Sequence, residues 1–388
     1  DPASVVGHAT DCWAALLDPG EEAQEPAGLP FDELPGMPPL SGELLHRIVA
    51  NIHVGKAGGL DGWTVRELRL LPVEAFRELA AVLTRVESEG VWPRGHSGAM
   101  VTLLPKKGDH GPMAQRPISL LPMIYRLWAA ARAGMLKEWF AASGHESAWG
   151  QGLGKGADTA AWMGAVQAEL ARAKGEAAYG AFIDCEKCYD HVRLADLEFE
   201  GSAQGLGRLV RLAARQTGHQ VRSLGWGHWQ GGGTNEGHPG GVPLANGMLH
   251  LYLLRAMRQT QEEAAPAKLR TYVDDWRLFV SGARRRAAGQ IVKGLRAAME
   301  ALEASHMVVS RSKTVMLAAG MAQRASLRTE AGFLRDMVAL AVKDLGVDES
   351  LGANRRKAAQ RGRIRDAAQS AKRIARVPTG WRGRTAWR

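Results

Sequence analysis

Two apolar-rich arms between Lys268 and Val280 meet at Asp274-Asp275. This pattern predicts a β-hairpin whose tight turn carries both carboxylates. A second short apolar run, Tyr179 to Asp184, has the length of a strand and also ends on an acid. Asp184 and Asp274 lie 90 residues apart, so only tertiary structure can bring them together. A fold that does so gathers three carboxylates at one sheet edge, where they repel each other unless cations bind. Mg²⁺ suits such a cluster, because it takes a few carboxylates and completes its shell with phosphate oxygens. Two such ions about 3.5–4 Å apart stabilise the attacking and leaving oxygens of a phosphoryl transfer.

The flanking periodicity is mostly helical. Leu44, Leu45, Ile48 and Val49 share one helix face, and Gly58-Gly59-Leu60-Asp61-Gly62 then breaks the pattern. Helices are predicted over 64–88, 122–142, 157–174, 192–215, 242–258 and 284–304, with β-like runs at Val101–Leu104 and Met307–Val309. Strands alternating with helices imply an α/β or α+β core with a helical region on each side.

Charge is unevenly spread. The formal net charge is +10, yet residues 1–40 hold eight acids and no Lys or Arg, so the rest carries all 50 bases against 32 acids. Residues 351–388 contain twelve bases opposed only by Asp366. That density favours a polyanionic partner, nucleic acid before a membrane surface. No apolar run approaches the ~20 residues that span a bilayer, so no membrane partner is expected. Cys12, Cys185 and Cys188 make no disulfide framework, which fits an intracellular compartment. The isolated Cys185-x-x-Cys188 lacks the two further ligands of a zinc site. The chain opens on Asp1 rather than Met and is read as a segment of a longer reading frame.

Eight segments, in order, resemble the motifs of reverse transcriptases. They begin with Lys56-Ala57-Gly58-Gly59-Leu60-Asp61-Gly62-Trp63, followed by Leu104-Pro105-Lys106-Lys107-Gly108 with Gln115-Arg116-Pro117-Ile118-Ser119-Leu120-Leu121. Next come Gln151-Gly152-Leu153-Gly154-Lys155-Gly156, Phe182-Ile183-Asp184 through Tyr189, and Gly237-His238-Pro239-Gly240-Gly241-Val242-Pro243-Leu244. Tyr272-Val273-Asp274-Asp275, Ser312-Lys313-Thr314 and Leu345-Gly346-Val347 complete the series. The long upstream elements resemble the non-LTR retrotransposon and group II intron branch.

The resemblance implies an α+β, right-hand polymerase fold: fingers over 41–178, an antiparallel palm over 179–348, and the start of a basic helical thumb over 349–388. Residues 1–40 are read as an acidic, Pro/Gly-rich lead-in without stable order. The implied activity is RNA-directed DNA synthesis, with an RNA template, a DNA primer and dNTPs as partners. Two Mg²⁺ ions, replaceable by Mn²⁺, are expected on Asp184, Asp274, Asp275 and the backbone carbonyl of Cys185. Lys106, Arg116, Tyr189 and Gly241 are expected to contact the dNTP. Arg suits that task because its planar fork pairs with phosphate oxygens, and Tyr189 is expected to exclude a 2′-hydroxyl. Lys56, Lys155, Pro239, Leu345 and Gly346 are assigned to template and primer, and Lys313 to protonation of the departing pyrophosphate. The expected compartment is the nucleus for a retrotransposon and an organelle for an intron.

The chain departs from the family pattern in two places. Gly240 stands where the family carries Gln, and Leu153 and Gly154 stand for an aromatic residue and an Arg. Two rival readings are an RNA-dependent RNA polymerase, against which the aromatic Tyr189 argues, and a catalytically inactive RNA-binding remnant or maturase-like protein.

Overall fold

The computed structural model describes residues 29–96, 98–105, 115–143, 147–150, 156–218, 221–224, 229–231, 237, 242–344, 347–351 and 358–375. Two compact units interleave along the chain. One comprises Asp1–Leu153, Cys185–Arg258 and Glu300–Val308; the other comprises Gly154–Asp184, Gln259–Met299 and Val309–Arg388.

The second unit is built on an antiparallel-dominated sheet. Its strands run, in spatial order, Val338–Ala339, Val315–Ala318, Ala177–Ile183, Asp275–Gly282 and Lys268–Tyr272, and only the first pair is parallel. The central strand, Ala-Ala-Tyr-Gly-Ala-Phe-Ile, is buried at all seven positions. A strand covered on both faces reads as a continuous apolar run rather than an alternating one. On one face Ala178, Phe182, Phe279 and Leu317 pack with Leu351 and with Ala168 and Ala171 of the Ala157–Ala173 helix. That helix, placed in the fingers by sequence, thus covers this unit's sheet. On the other face the Arg284–Ala304 helix approaches closely. A Cβ at Gly294 would lie 3.3 Å from Leu278, and Tyr179 donates its hydroxyl to the Arg284 carbonyl at 3.1 Å.

In the first unit a four-stranded sheet has the order Gln115–Leu120, Gly98–Pro105, Val221–Leu224, Trp229–Gly231. The Gly42–Asn51 helix buries Leu45 and Val49 and packs on Val73–Glu89 and Met123–Ala142. The stretch predicted as one helix over 64–88 is two, Val65–Leu68 and Val73–Glu89, because Pro72 disfavours helical backbone at Leu71. Likewise 192–215 is divided at Gly205, whose φ of +73° ends Leu194–Ala203 before Gly207–Gly218 begins. Trp92, Tyr125 and Trp128 form an aromatic cluster, beside which a buried Glu87 accepts from Trp128 and from Arg132. The end of the acidic lead-in is anchored here as well. Leu34 is buried, Arg208 donates to the Phe31 and Leu34 carbonyls, and Arg211 donates to the Leu29 carbonyl.

Among the described residues, no helix is long and apolar enough to cross a membrane.

Candidate active site

Strand pairing in the second unit brings the separated acids together. Ile183 lies opposite Trp276 in the antiparallel pair, so one further step of that register sets Asp184 across from Asp275. Directly opposed residues project to the same sheet face. Tyr272 pairs with Asp275, which leaves Val273-Asp274 as a two-residue turn. Val273 has φ +58° and Asp274 is not in the left-handed region, the pattern of a type II′ hairpin. A β-branched residue rarely adopts that conformation, at a cost of about 1–3 kcal/mol. The strain sits directly beside the acids.

Asp184 is held by the turn that follows the neighbouring strand pair. Its carbonyl accepts from Ser310 N at 2.8 Å, and its own amide donates to Thr314 Oγ1 at 3.5 Å. Backbone bonds from Lys313 and Thr314 to the Ser310 carbonyl close this turn. The clasp aims Lys313 at the acid, with Nζ 3.1 Å from Asp184 Oδ2. Oδ2 is enclosed and meets no donor in hydrogen-bonding geometry, so its contact with the ammonium is an electrostatic one.

Among the described residues no group of three His, Cys, Asp or Glu side chains is placed to hold a metal ion, so the expected convergence of all three acids is not seen. The arrangement is instead an open carboxylate edge. Hard oxygen donors on two adjacent strand ends, with a cation already beside Asp184 Oδ2, fit Mg²⁺, which keeps several of its positions for water and phosphate.

Residues 104–348 match the family model for reverse transcriptases (RNA-dependent DNA polymerase). The chain belongs to the reverse transcriptase family. A search of curated proteins finds no match. The fold is accordingly the α+β polymerase type with palm and fingers. The activity is RNA-directed nucleotidyl transfer, acting on a nucleic-acid template and primer with nucleotide substrates.

The first unit of this reverse transcriptase holds several of the residues expected at the substrate. Tyr189 lies in a short 3₁₀ turn, Cys188–His191, entered through Lys187 at φ +46°. Its hydroxyl donates to Asn246 Oδ1 at 2.6 Å. Gly237, which opens the Gly-His-Pro-Gly-Gly segment, is buried and donates its amide to the Val192 carbonyl at 2.8 Å, just beyond that turn. Arg116 is an exposed strand residue paired with Leu104. Lys56 is exposed, in a turn closed by its amide on the His53 carbonyl.

The motif around Lys56 has a structural task that sequence reasoning missed. Asp61 accepts from Ile124 N at 3.1 Å and so caps the Met123–Ala142 helix, where a carboxylate also complements the helix dipole. Arg126 donates to the Ala57 carbonyl at 2.6 Å, and burial lowers its pKa against the opposing pull of Asp61. Gly59 lies so close to Leu121 that a Cβ would fall 2.4 Å from its carbonyl oxygen. The glycines thus let the two motifs lock together.

Cys185 and Cys188 are buried and outside any disulfide, and Cys188 Sγ sits 3.6 Å from Met307 Sδ. Lys106, Lys155, Pro239, Gly241, Leu345 and Gly346 lie outside the described residues.

Arg277 was also missed. It sits two residues after Asp275, on the same strand face, and pairs across with Phe182. Its guanidinium lies 4.9 Å over the Phe182 ring and bonds Glu349 Oε1 at 3.0 Å, both partners being buried. Gly164 makes room for it, since a Cβ there would fall 2.1 Å from Arg277 Nη1. The available signal was a lone Arg in an otherwise apolar strand run, Trp276 to Val280.

Proposed function

We propose that this reverse transcriptase is the polymerase domain of a retroelement of the non-LTR retrotransposon or group II intron type, extending a DNA primer on an RNA template. The observation that carries the reading is the strand register that sets Asp184 against the hairpin bearing Asp274 and Asp275. Asp184, Asp274, Asp275 and the Cys185 carbonyl would hold two Mg²⁺ ions, for which Mn²⁺ can substitute. When bound, these ions neutralise charge on the reacting phosphate and lower the pKa of the primer 3′-hydroxyl.

The chain's own residues supply the rest. Arg116 and Lys106 grip the triphosphate through charge-assisted bonds. Tyr189 and Gly241 shape the nucleotide pocket. Lys56, Lys155, Pro239, Leu345 and Gly346 line the path of template and primer. Lys313 gives up its contact with Asp184 and protonates the departing pyrophosphate. Fingers over 41–178, palm over 179–348 and the thumb's start over 349–388 are the division this reading assigns. The compartment is the nucleus for a retrotransposon or an organelle for an intron-encoded enzyme.

Primer extension on an RNA template with dNTPs and Mg²⁺ tests the reading, comparing the wild type with Asp274→Asn. Extension by the wild type alone is expected. Tight template binding without extension by either protein would transfer the assignment to an inactive RNA-binding remnant or maturase-like protein. Preferential use of rNTPs would transfer it to an RNA polymerase.

A further inference from the structure

We infer that Asn246 is a specificity-positioning residue: it tethers the Tyr189 hydroxyl and so fixes the ring that discriminates deoxyribonucleotides from ribonucleotides. The inference rests on the reading of Tyr189 as the sugar-excluding aromatic.

A ring can exclude one hydroxyl group only if it cannot swing aside. Tyr189 lies in a four-residue 3₁₀ turn whose entry residue, Lys187, is in the left-handed region, and its side chain is only half-buried. Packing alone therefore leaves its χ angles less constrained than those of a core tyrosine. The hydrogen bond from its hydroxyl to Asn246 Oδ1, at 2.6 Å, adds a constraint at the far end of the ring. A bond at that point resists rotation about both χ1 and χ2, because it lies furthest from the Cα.

The anchor is well chosen. Asn246 belongs to the helix Ala245–Tyr252, and the other seven of its eight residues are buried. It is the one exposed position of a helix fixed on its remaining faces. It also lies two residues after the Gly-Gly-Val-Pro-Leu segment, whose Gly241 is assigned to the dNTP. Its side-chain oxygen Oδ1 accepts the tyrosine hydroxyl.

The test is the ratio of kcat/KM for a dNTP to that for the matching rNTP, measured by single-nucleotide primer extension. Taking this ratio cancels any effect on the triphosphate, which both substrates share. Loss of one neutral hydrogen bond corresponds to a change of about fivefold, so Tyr189→Phe and Asn246→Ala should each lower the ratio by about that factor. The double variant Y189F/N246A should fall no further than either single, because both remove the same bond. Asn246→Asp keeps an acceptor for the hydroxyl and should retain the wild-type ratio. Tyr189→Ala, which removes the ring itself, should lower it by about a hundredfold.

If Tyr189→Ala collapses the ratio while Y189F and N246A leave it unchanged, the tether is wrong and the gate stands. If Tyr189→Ala leaves the ratio unchanged, the gate reading fails and takes the tether with it. Additive losses in the double variant would also overturn the proposal, since they would mean that the two residues act independently.

Discussion

At the scale of single residues, the contact between Lys313 and Asp184 decides how the acid edge behaves without substrate. An ammonium 3.1 Å from Asp184 Oδ2 neutralises the carboxylate and competes with any cation for the same oxygen. The Lys313 side chain is 64% exposed, so the competition is solvent-screened and worth about 1 kcal/mol, or roughly fivefold in cation affinity. Lys313→Met removes the competitor while keeping much of the side chain's length. Half-saturating Mg²⁺ in primer extension should fall about fivefold. The rate at saturating Mg²⁺ should fall about a hundredfold or more, because the proton donor is lost as well. An unchanged Mg²⁺ requirement would show that the ammonium does not compete at this oxygen. An unchanged saturated rate would remove Lys313 from the chemistry.

At the scale of elements, the Arg277–Glu349 pair links the strand that carries Asp275 to the short strand Val347–Glu349. Both side chains are buried, so their value depends on staying paired. Glu349→Gln leaves a guanidinium buried without its countercharge, and urea unfolding should show a loss of about 3–5 kcal/mol. The double variant R277M/E349L removes both charges and should recover most of that loss, to within about 2 kcal/mol of wild type. A double variant as unstable as Glu349→Gln would mean that the pair contributes more than mutual neutralisation. Gly164→Ala approaches the same pair from the helix. Its Cβ would fall 2.1 Å from Nη1, so Arg277 or the helix must shift. Ala is otherwise the better helix former by about 1 kcal/mol, and this gain should appear only in the R277M/E349L background. None of these three contacts was legible in the sequence. Phe182, Gly164 and Glu349 lie 95, 113 and 72 residues from Arg277, and no local pattern joins them. The hairpin strands and the strand ending at Asp184 were legible because each is a short apolar run with an acid at one end, whereas Val347–Glu349, two-thirds acidic, gave no such signal. The helix breaks at Pro72 and Gly205 were missed, although both residues are helix breakers by type.

At the scale of the whole molecule, the acids and the basic charge were readable from the sequence for different reasons. Asp184 and Asp274-Asp275 announce themselves at strand ends, and the register then does what spacing could not, bringing them to one edge. The role of Asp61 was hidden because capping depends on which helix arrives beside it, here one that begins 62 residues later. Charge needs no such information. It sums over the chain, and its asymmetry predicts a partner before any fold is known. The structure adds where part of that charge is displayed. In the Ala358–Ala375 helix, Arg361, Arg365 and Lys372 are all exposed, and their spacing of four and seven residues puts them on one face. A row of bases at that spacing can follow a phosphate backbone. Each contact made should release counterions and steepen the salt dependence of binding by about 0.7–0.9 in log K against log salt. Replacing all three by Gln should therefore flatten the slope for primer–template binding by about 2 to 3, equally for every sequence tested, and leave the KM for dNTP unchanged. A slope that does not move would place the nucleic acid elsewhere. A change in dNTP KM would mean that this helix acts on the nucleotide pocket rather than on the duplex.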